Sequence, residues 1–204
     1  MKGLLLKDFY TLLKQLKLYL VFIVILSVIP SMNMTSIGIV YAAMLPITVI
    51  AFDERSKWDQ LAVMMPYTRN ELVLSKFLIG YIAVAVTCLI SLGIQVIIGA
   101  VNGQALTMEQ MLTVVLTAFA GVILLAINLP FMFWLGVERG RIVFLVLIAA
   151  TVFLGMMSVD SIKAMMDYST ITSATLLLGG AAAVIVSNVV AVAISNRVYQ
   201  RKFL

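Results

Sequence analysis

Side chains that shuttle protons, attack carbonyls or hold metals at neutral pH are mostly His, Cys and paired carboxylates. This sequence nearly lacks the first two. It has no His in 204 residues, which removes the commonest metal ligand and the usual general base. Its one Cys, Cys88, sits in Val84-Ala85-Val86-Thr87-Cys88-Leu89-Ile90, a setting for a packed small hydrophobe rather than a nucleophile. A single Cys makes neither an intrachain disulfide nor a zinc cluster. No Gly-x-x-x-x-Gly-Lys-Ser/Thr loop is present to cradle a nucleotide phosphate, and no Gly-x-Ser-x-Gly elbow to present a nucleophile. The polar chemistry that remains gathers in residues 53–76, where Trp58 stands among Arg55, Lys57 and Asp59. An exposed Trp beside mixed charges suits protein docking rather than catalysis. It also suits the aromatic belt of a membrane interface.

The elements that carry this stretch are set by composition. The chain is 63% apolar and 11% charged, with 14 Lys and Arg against 9 Asp and Glu. A soluble domain is about 45–50% apolar and about 25% charged, and a spanning helix takes roughly 20 apolar residues. The chain therefore reads as an all-α integral membrane protein, with no room for a soluble catalytic domain. Charges fall in clumps separated by long charge-free runs. The first such run, after Lys17, holds Pro30-Ser31-Met32-Asn33-Met34-Thr35-Ser36, which suits a turn between two spans. Lys and Arg collect on the cytoplasmic side, and both the N-terminal segment and residues 53–76 are rich in them, so an even number of spans must separate the two. The expected spans are 18–31, 36–52, 77–101, 111–135, 142–158 and 170–195. This places thirteen Lys and Arg inside and one, Lys163, outside, with both termini cytoplasmic. No Ala-x-Ala site follows residues 18–29, so the first run is read as a span rather than a cleaved signal. The whole chain, 1–204, is then one transmembrane domain, and its positive surplus follows topology, with no nucleic acid implied.

Residues 1–17 read as an amphipathic interfacial helix. Leu5, Leu6, Phe9, Leu12, Leu13 and Leu16 share one face, opposite Lys7, Asp8, Thr11, Lys14 and Gln15. Lys7, Phe9 and Lys14 are its expected contacts with the membrane surface. The spans themselves carry no charge, which argues against a carrier driven by a proton or sodium gradient. Their polar residues, such as Ser91, Gln95, Thr113, Asn128, Ser187 and Asn188, are expected to hydrogen-bond between helices. Asn128 precedes Pro130, where a kink is expected. The run Gly179-Gly180-Ala181-Ala182-Ala183 reads as a close-packing seam.

Within residues 53–76 a short helix is expected over 54–64, ended at Pro66. Thr68 and Glu71 form a capping box for a second helix that runs into the third span. Here the pattern Glu-x-x-x-Trp, then x-x-Pro-x-x-Arg-x-Glu-x-Val-x-x-Lys, resembles the type-2 ABC exporter permeases, on Glu54, Trp58, Pro66, Arg69, Glu71, Val73 and Lys76. The opening Met1-Lys2-Gly3-Leu4-Leu5-Leu6-Lys7-Asp8 and the basic tail Asn196-Arg197-Val198-Tyr199-Gln200-Arg201-Lys202 are similar to the same group. Met64-Met65-Pro66 departs from it, where Ser-Leu-Pro is usual.

The resemblance implies what composition does not. The loop between spans two and three would be a coupling helix docking on a separate cytoplasmic ATPase, with Glu54, Trp58, Pro66 and Arg69 in that contact and the N-terminal helix beside it. Arg55, Lys57 and Asp59 join that surface on charge and position alone. The ATPase would bind ATP and Mg, and this chain would hold no cofactor and be no enzyme by itself. Two permeases, identical or related, would meet in the membrane lipids of a bacterial plasma membrane. Among such permeases, those exporting phenol-soluble modulins and antimicrobial peptides are the favoured likeness, because an apolar pathway without charge suits an amphipathic peptide. The competing reading is a membrane scaffold or immunity protein that binds a toxin or assembly factor without transport. A channel or gradient-driven carrier is disfavoured by the uncharged spans, and an intramembrane protease by the missing catalytic residues.

Overall fold

The computed structural model describes residues 3–13, 21, 34–65, 67–101, 103, 108–150 and 173–202. Every regular element among them is a helix. We number them α1 (3–13), α2 (Met34–Ala43), α3 (Leu45–Arg55), α4 (Trp58–Val63), α5 (Arg69–Val101), α6 (Met108–Leu135), α7 (137–150) and α8 (Ser173–Lys202). Three of them, α5, α6 and α8, contain stretches long and apolar enough to cross a membrane. They match the expected third, fourth and sixth spans. The first expected span apart from Val21, and the second half of the fifth, lie outside the described residues, as do Lys14 and Pro66.

Local sequence explains most boundaries. The capping box at the start of α5 is formed as expected. The Thr68 amide donates to Glu71 Oε2 at 3.0 Å, and the Glu71 amide donates to Thr68 Oγ1 at 3.4 Å. Gly103 and Gly136 follow α5 and α6 with φ of +67° and +78°, the left-handed backbone that glycine adopts without penalty. Gly136 alone joins α6 to α7, its amide donating to the Met132 carbonyl at 3.1 Å. Removing the cap with Thr68→Ala is expected to cost about 1 kcal/mol and to fray the first turn of α5. Amide hydrogen exchange at Arg69–Leu72 measures this, and unchanged protection there would refute it.

Two expectations are corrected. The expected second span, 36–52, is not one helix: α2 and α3 are separated at Met44. Pro46 occupies the first turn of α3, where its missing N–H does no harm, but it can donate nothing to the carbonyl of Ala42. The Met44 amide turns instead to Tyr41 O at 3.0 Å. The loop helix also begins later than residue 54. Glu54 and Arg55 finish α3, and the chain turns at Ser56 and Lys57 before α4. Lys57 turns it with φ of +53°. The polar loop proper is thus Ser56 to Thr68, shorter than 53–76 at both ends.

Packing follows the small residues. Lipid chains are as apolar as Leu, so helices gain little by hiding hydrophobic surface from lipid and associate where backbones approach closely. A β-carbon on Gly121 would come 3.1 Å from Ile39 of α2, and one on Gly180 would come 2.8 Å from Phe119 of α6. Gly180 therefore makes the expected seam within this chain, whereas Gly179 faces open space. On Gly80 of α5 a β-carbon would overlap Leu125 and press on Pro46, so α3, α5 and α6 converge there. These contacts run α3, α6 and α8 in one direction and α5 in the other. The C-terminal ends of α3, α6 and α8 and the N-terminal ends of α1 and α5 consequently share one end of the bundle. Across α5 and α8, the Tyr81 hydroxyl donates to Asn188 Oδ1 at 2.5 Å, an expected interhelical bond. Asn128 does not follow that expectation: it is buried and its side chain has no hydrogen-bond partner among the described residues.

Candidate functional site

At the shared end, four charged side chains from three helices meet. Asp8 lies on α1, Asp53 in the last turn of α3, and Lys76 two turns into α5, where the capped start of that helix places it. Lys76 Nζ donates to both carboxylate oxygens of Asp8 at 2.8 Å and to Asp53 Oδ2 at 2.5 Å. Lys7 Nζ donates to Asp53 Oδ1 at 2.6 Å and lies 3.0 Å from Asp8 Oδ1. Asp8 is fully buried, Asp53 and Lys76 nearly so, and Lys7 reaches the edge. Two ammonium groups and two carboxylates leave no net charge, which makes burial of all four tolerable.

This corrects the reading of Asp53 and Lys76 as the two ends of a polar loop. Asp53 and Lys76 belong to α3 and α5 and are inside the packing. The polar face of the N-terminal helix, opposite its outward apolar face, packs on the other helices. Its polar residues Lys7 and Asp8 point into the bundle with Leu4 and Leu12, while Leu6, Phe9, Tyr10 and Leu13 are exposed. Lys7 is thus an internal tether. Phe9 faces outward, edge-on to Tyr10 with ring centroids 6.5 Å apart.

The residues expected to dock a partner divide into two sets. Glu54 and Trp58 are engaged within the chain. Glu54 Oε2 accepts the amide of Val137 at 3.0 Å, capping the start of α7 just past Gly136. Lys7 Nζ sits 4.2 Å from the centroid of the Trp58 ring, a cation–π contact that holds α4 against α1. Trp58 is half-buried. With Asp53, Glu54, Lys76, Phe133 and Tyr199 it lines a cavity of about 30 Å³, room for two or three waters at about 10–15 Å³ each. Tyr199 packs edge-on against Phe133 with centroids 5.7 Å apart. The basic tail is therefore the last turns of α8 rather than a free extension. Arg55, Lys57 and Arg69 are exposed. Asp59 lies on α4, its side chain outside the described residues, as is Pro66.

This arrangement clamps rather than reacts. Every charge in it is spent on another, and among the described residues no group of three carboxylates or thiols gathers to hold a metal. What it does mechanically is join α1, α3, α4, α5 and α7 through side chains at one point. Sequence reasoning missed the cluster. The signal available was position: Asp53 ends one charge-free run and Lys76 precedes the next, where a charge must find a partner or meet solvent.

Residues 3–200 match the family model described as ABC-2 family transporter protein. No curated protein and no solved structure matches the chain.

Proposed function

Because the chain belongs to the ABC-2 family of transporter proteins, as a multi-pass membrane component and not an enzyme on its own, we propose that it is the membrane subunit of an ATP-driven exporter. A separate cytoplasmic ATPase, which the family implies, would bind ATP and Mg and supply the energy. The proposed substrate is an amphipathic peptide or similarly hydrophobic molecule. In this reading six helices span a bacterial plasma membrane, both termini are cytoplasmic, and two permeases, identical or related, make one pathway.

The observation that carries the reading is the attachment of α4. A helix of six residues has little stability of its own, yet α4 is held through Trp58 to Lys7, and Lys7 is ion-paired to Asp8 and Asp53. A push on α4 from the ATPase therefore reaches α1, α3 and α5 without passing through a flexible joint. Exposed Arg55, Lys57 and Arg69, with Asp59 and Pro66 from the sequence, would form the outward face of that contact. Outward-facing Leu6, Phe9, Tyr10 and Leu13 would place α1 in the membrane surface. That all described Lys and Arg side chains lie at this end supports a cytoplasmic assignment for it.

Trp58→Ala tests coupling. A cation–π contact at a partly exposed site contributes about 0.5–1 kcal/mol, so the variant should fold while ATP-dependent export falls. Export by the reconstituted complex and retention of the ATPase on affinity-tagged permease are the measurements. Full export by the permease alone, without ATPase or ATP, would sink the reading. Protection or assembly that persists with a hydrolysis-dead ATPase would favour the scaffold alternative.

A further inference from the structure

Two proline-containing helices run side by side, and their prolines are level. The contact of Ile39 with Gly121 and the bond between Glu54 and Val137 set one parallel register for α2, α3 and α6. Seven residues past Ile39 is Pro46, and seven past Gly121 is Asn128. The register therefore sets Asn128 against the break between α2 and α3. Pro46 offers no N–H to the Ala42 carbonyl, and Pro130 offers none to the Ala126 carbonyl. Gly80 of α5 meets Pro46 and Leu125 at the same level. Both parallel helices thus lack a backbone bond in one plane, and α5 crosses that plane at a glycine.

Asn128 lies in this plane and is only 1% exposed. Among the described residues, neither its amide nitrogen nor its oxygen has a hydrogen-bond partner. An unpaired carboxamide buried in an apolar bundle penalises the arrangement that contains it. Its N–H groups are the donors that a proline-freed carbonyl requires.

We infer that this plane is a hinge and that Asn128 is its positioning residue, unpaired in the arrangement described here and donating to the Ala42 carbonyl when the ends of α3 and α6 pivot. On one side of the plane the ion cluster makes a rigid block of α1, α3 and α5. On the other, α2, α6 and α8 meet through Gly121 and Gly180, contacts that can slide. The hinge rests on the transport reading only for the force that drives it.

The test uses the full-length permease alone in lipid nanodiscs. Asn128→Leu should raise the thermal midpoint by about 3 °C, because an unpaired polar group is replaced by an apolar one of similar shape. Hydrogen exchange of the backbone amides of residues 43–45 and 47 should slow about fivefold, the worth of one hydrogen bond lost from the pivoted state. Asn128→Ala, which adds no volume, should slow the same amides whatever it does to the midpoint. Pro46→Ala, which restores the N–H facing Ala42, should slow them as well and leave Asn128→Leu without further effect. A lowered midpoint for Asn128→Leu, or unchanged exchange at the break in both Asn128 variants, would overturn the hinge. ATP hydrolysis by the assembled complex is a separate readout: its absence counts against the transport reading and leaves the exchange result standing.

Discussion

Lys76→Met is expected to destabilise the folded chain by about 3–5 kcal/mol, the cost of removing one partner from a buried ion pair. Lys76 satisfies both oxygens of fully buried Asp8 and one of Asp53. Without it, two carboxylates share Lys7, and one negative charge is left buried without compensation. The thermal midpoint should fall by about 10 °C. The charge origin of the loss is testable by removing an acid as well. In Lys76→Met with Asp8→Leu, the Lys7–Asp53 pair at 2.6 Å remains and the site is neutral again. The double variant should therefore be more stable than Lys76→Met alone, a coupling between contacting residues that simple addition of the two losses does not give. Equal midpoints for the single and double variants would show that the cluster acts by shape and not by charge.

The second large effect is steric. Gly80→Ala should destabilise by about 2 kcal/mol, within the usual range for overpacking. The added carbon would come 2.1 Å from Leu125 Cδ1 and 2.9 Å from Pro46 Cγ. Alanine is favoured over glycine in a helix by about 1 kcal/mol, so the steric loss must exceed that gain for the sign to hold. The Leu125 contact is the tip of a flexible side chain and can swing aside, whereas the Pro46 ring cannot. Leu125→Ala should accordingly rescue Gly80→Ala only in part. Thermal unfolding of the purified permease decides the matter, and a midpoint above the parent's would show that α5 has room to shift.

The contrast between what the sequence disclosed and what it hid follows from distance along the chain. The capping box at Thr68 and Glu71 was legible because its partners are three residues apart and its chemistry is local. The positions of α5, α6 and α8 were legible from apolar runs alone. The break between α2 and α3 was not, because counting charge-free residues treats Pro46 as one more apolar position. The start of α4 was missed because nothing in the Lys57 side chain announces a left-handed backbone. The ion cluster was hidden for another reason. Lys76 finds Asp8 across 68 positions and Asp53 across 23, and only the packed bundle brings α1, α3 and α5 to one point. Trp58 was read as a docking residue from its charged neighbours, but the neighbour that holds it, Lys7, is on another helix.

The cluster also bears on the order of folding. As the chain emerges from its N-terminus, Lys7, Asp8 and Asp53 are available long before Lys76. Those three carry one excess negative charge, so α1 and α3 alone cannot bury the site without penalty. Docking of α1 waits for the first two turns of α5, and the loop closed at that step has already paid most of its entropy through the packing of α3 on α5. Of the three helices that meet at the cluster, α1 is thereby the earliest in the chain and the last to dock. A nascent chain truncated before Lys76 should leave α1 undocked and open to protease, whereas one extended through α5 should protect it.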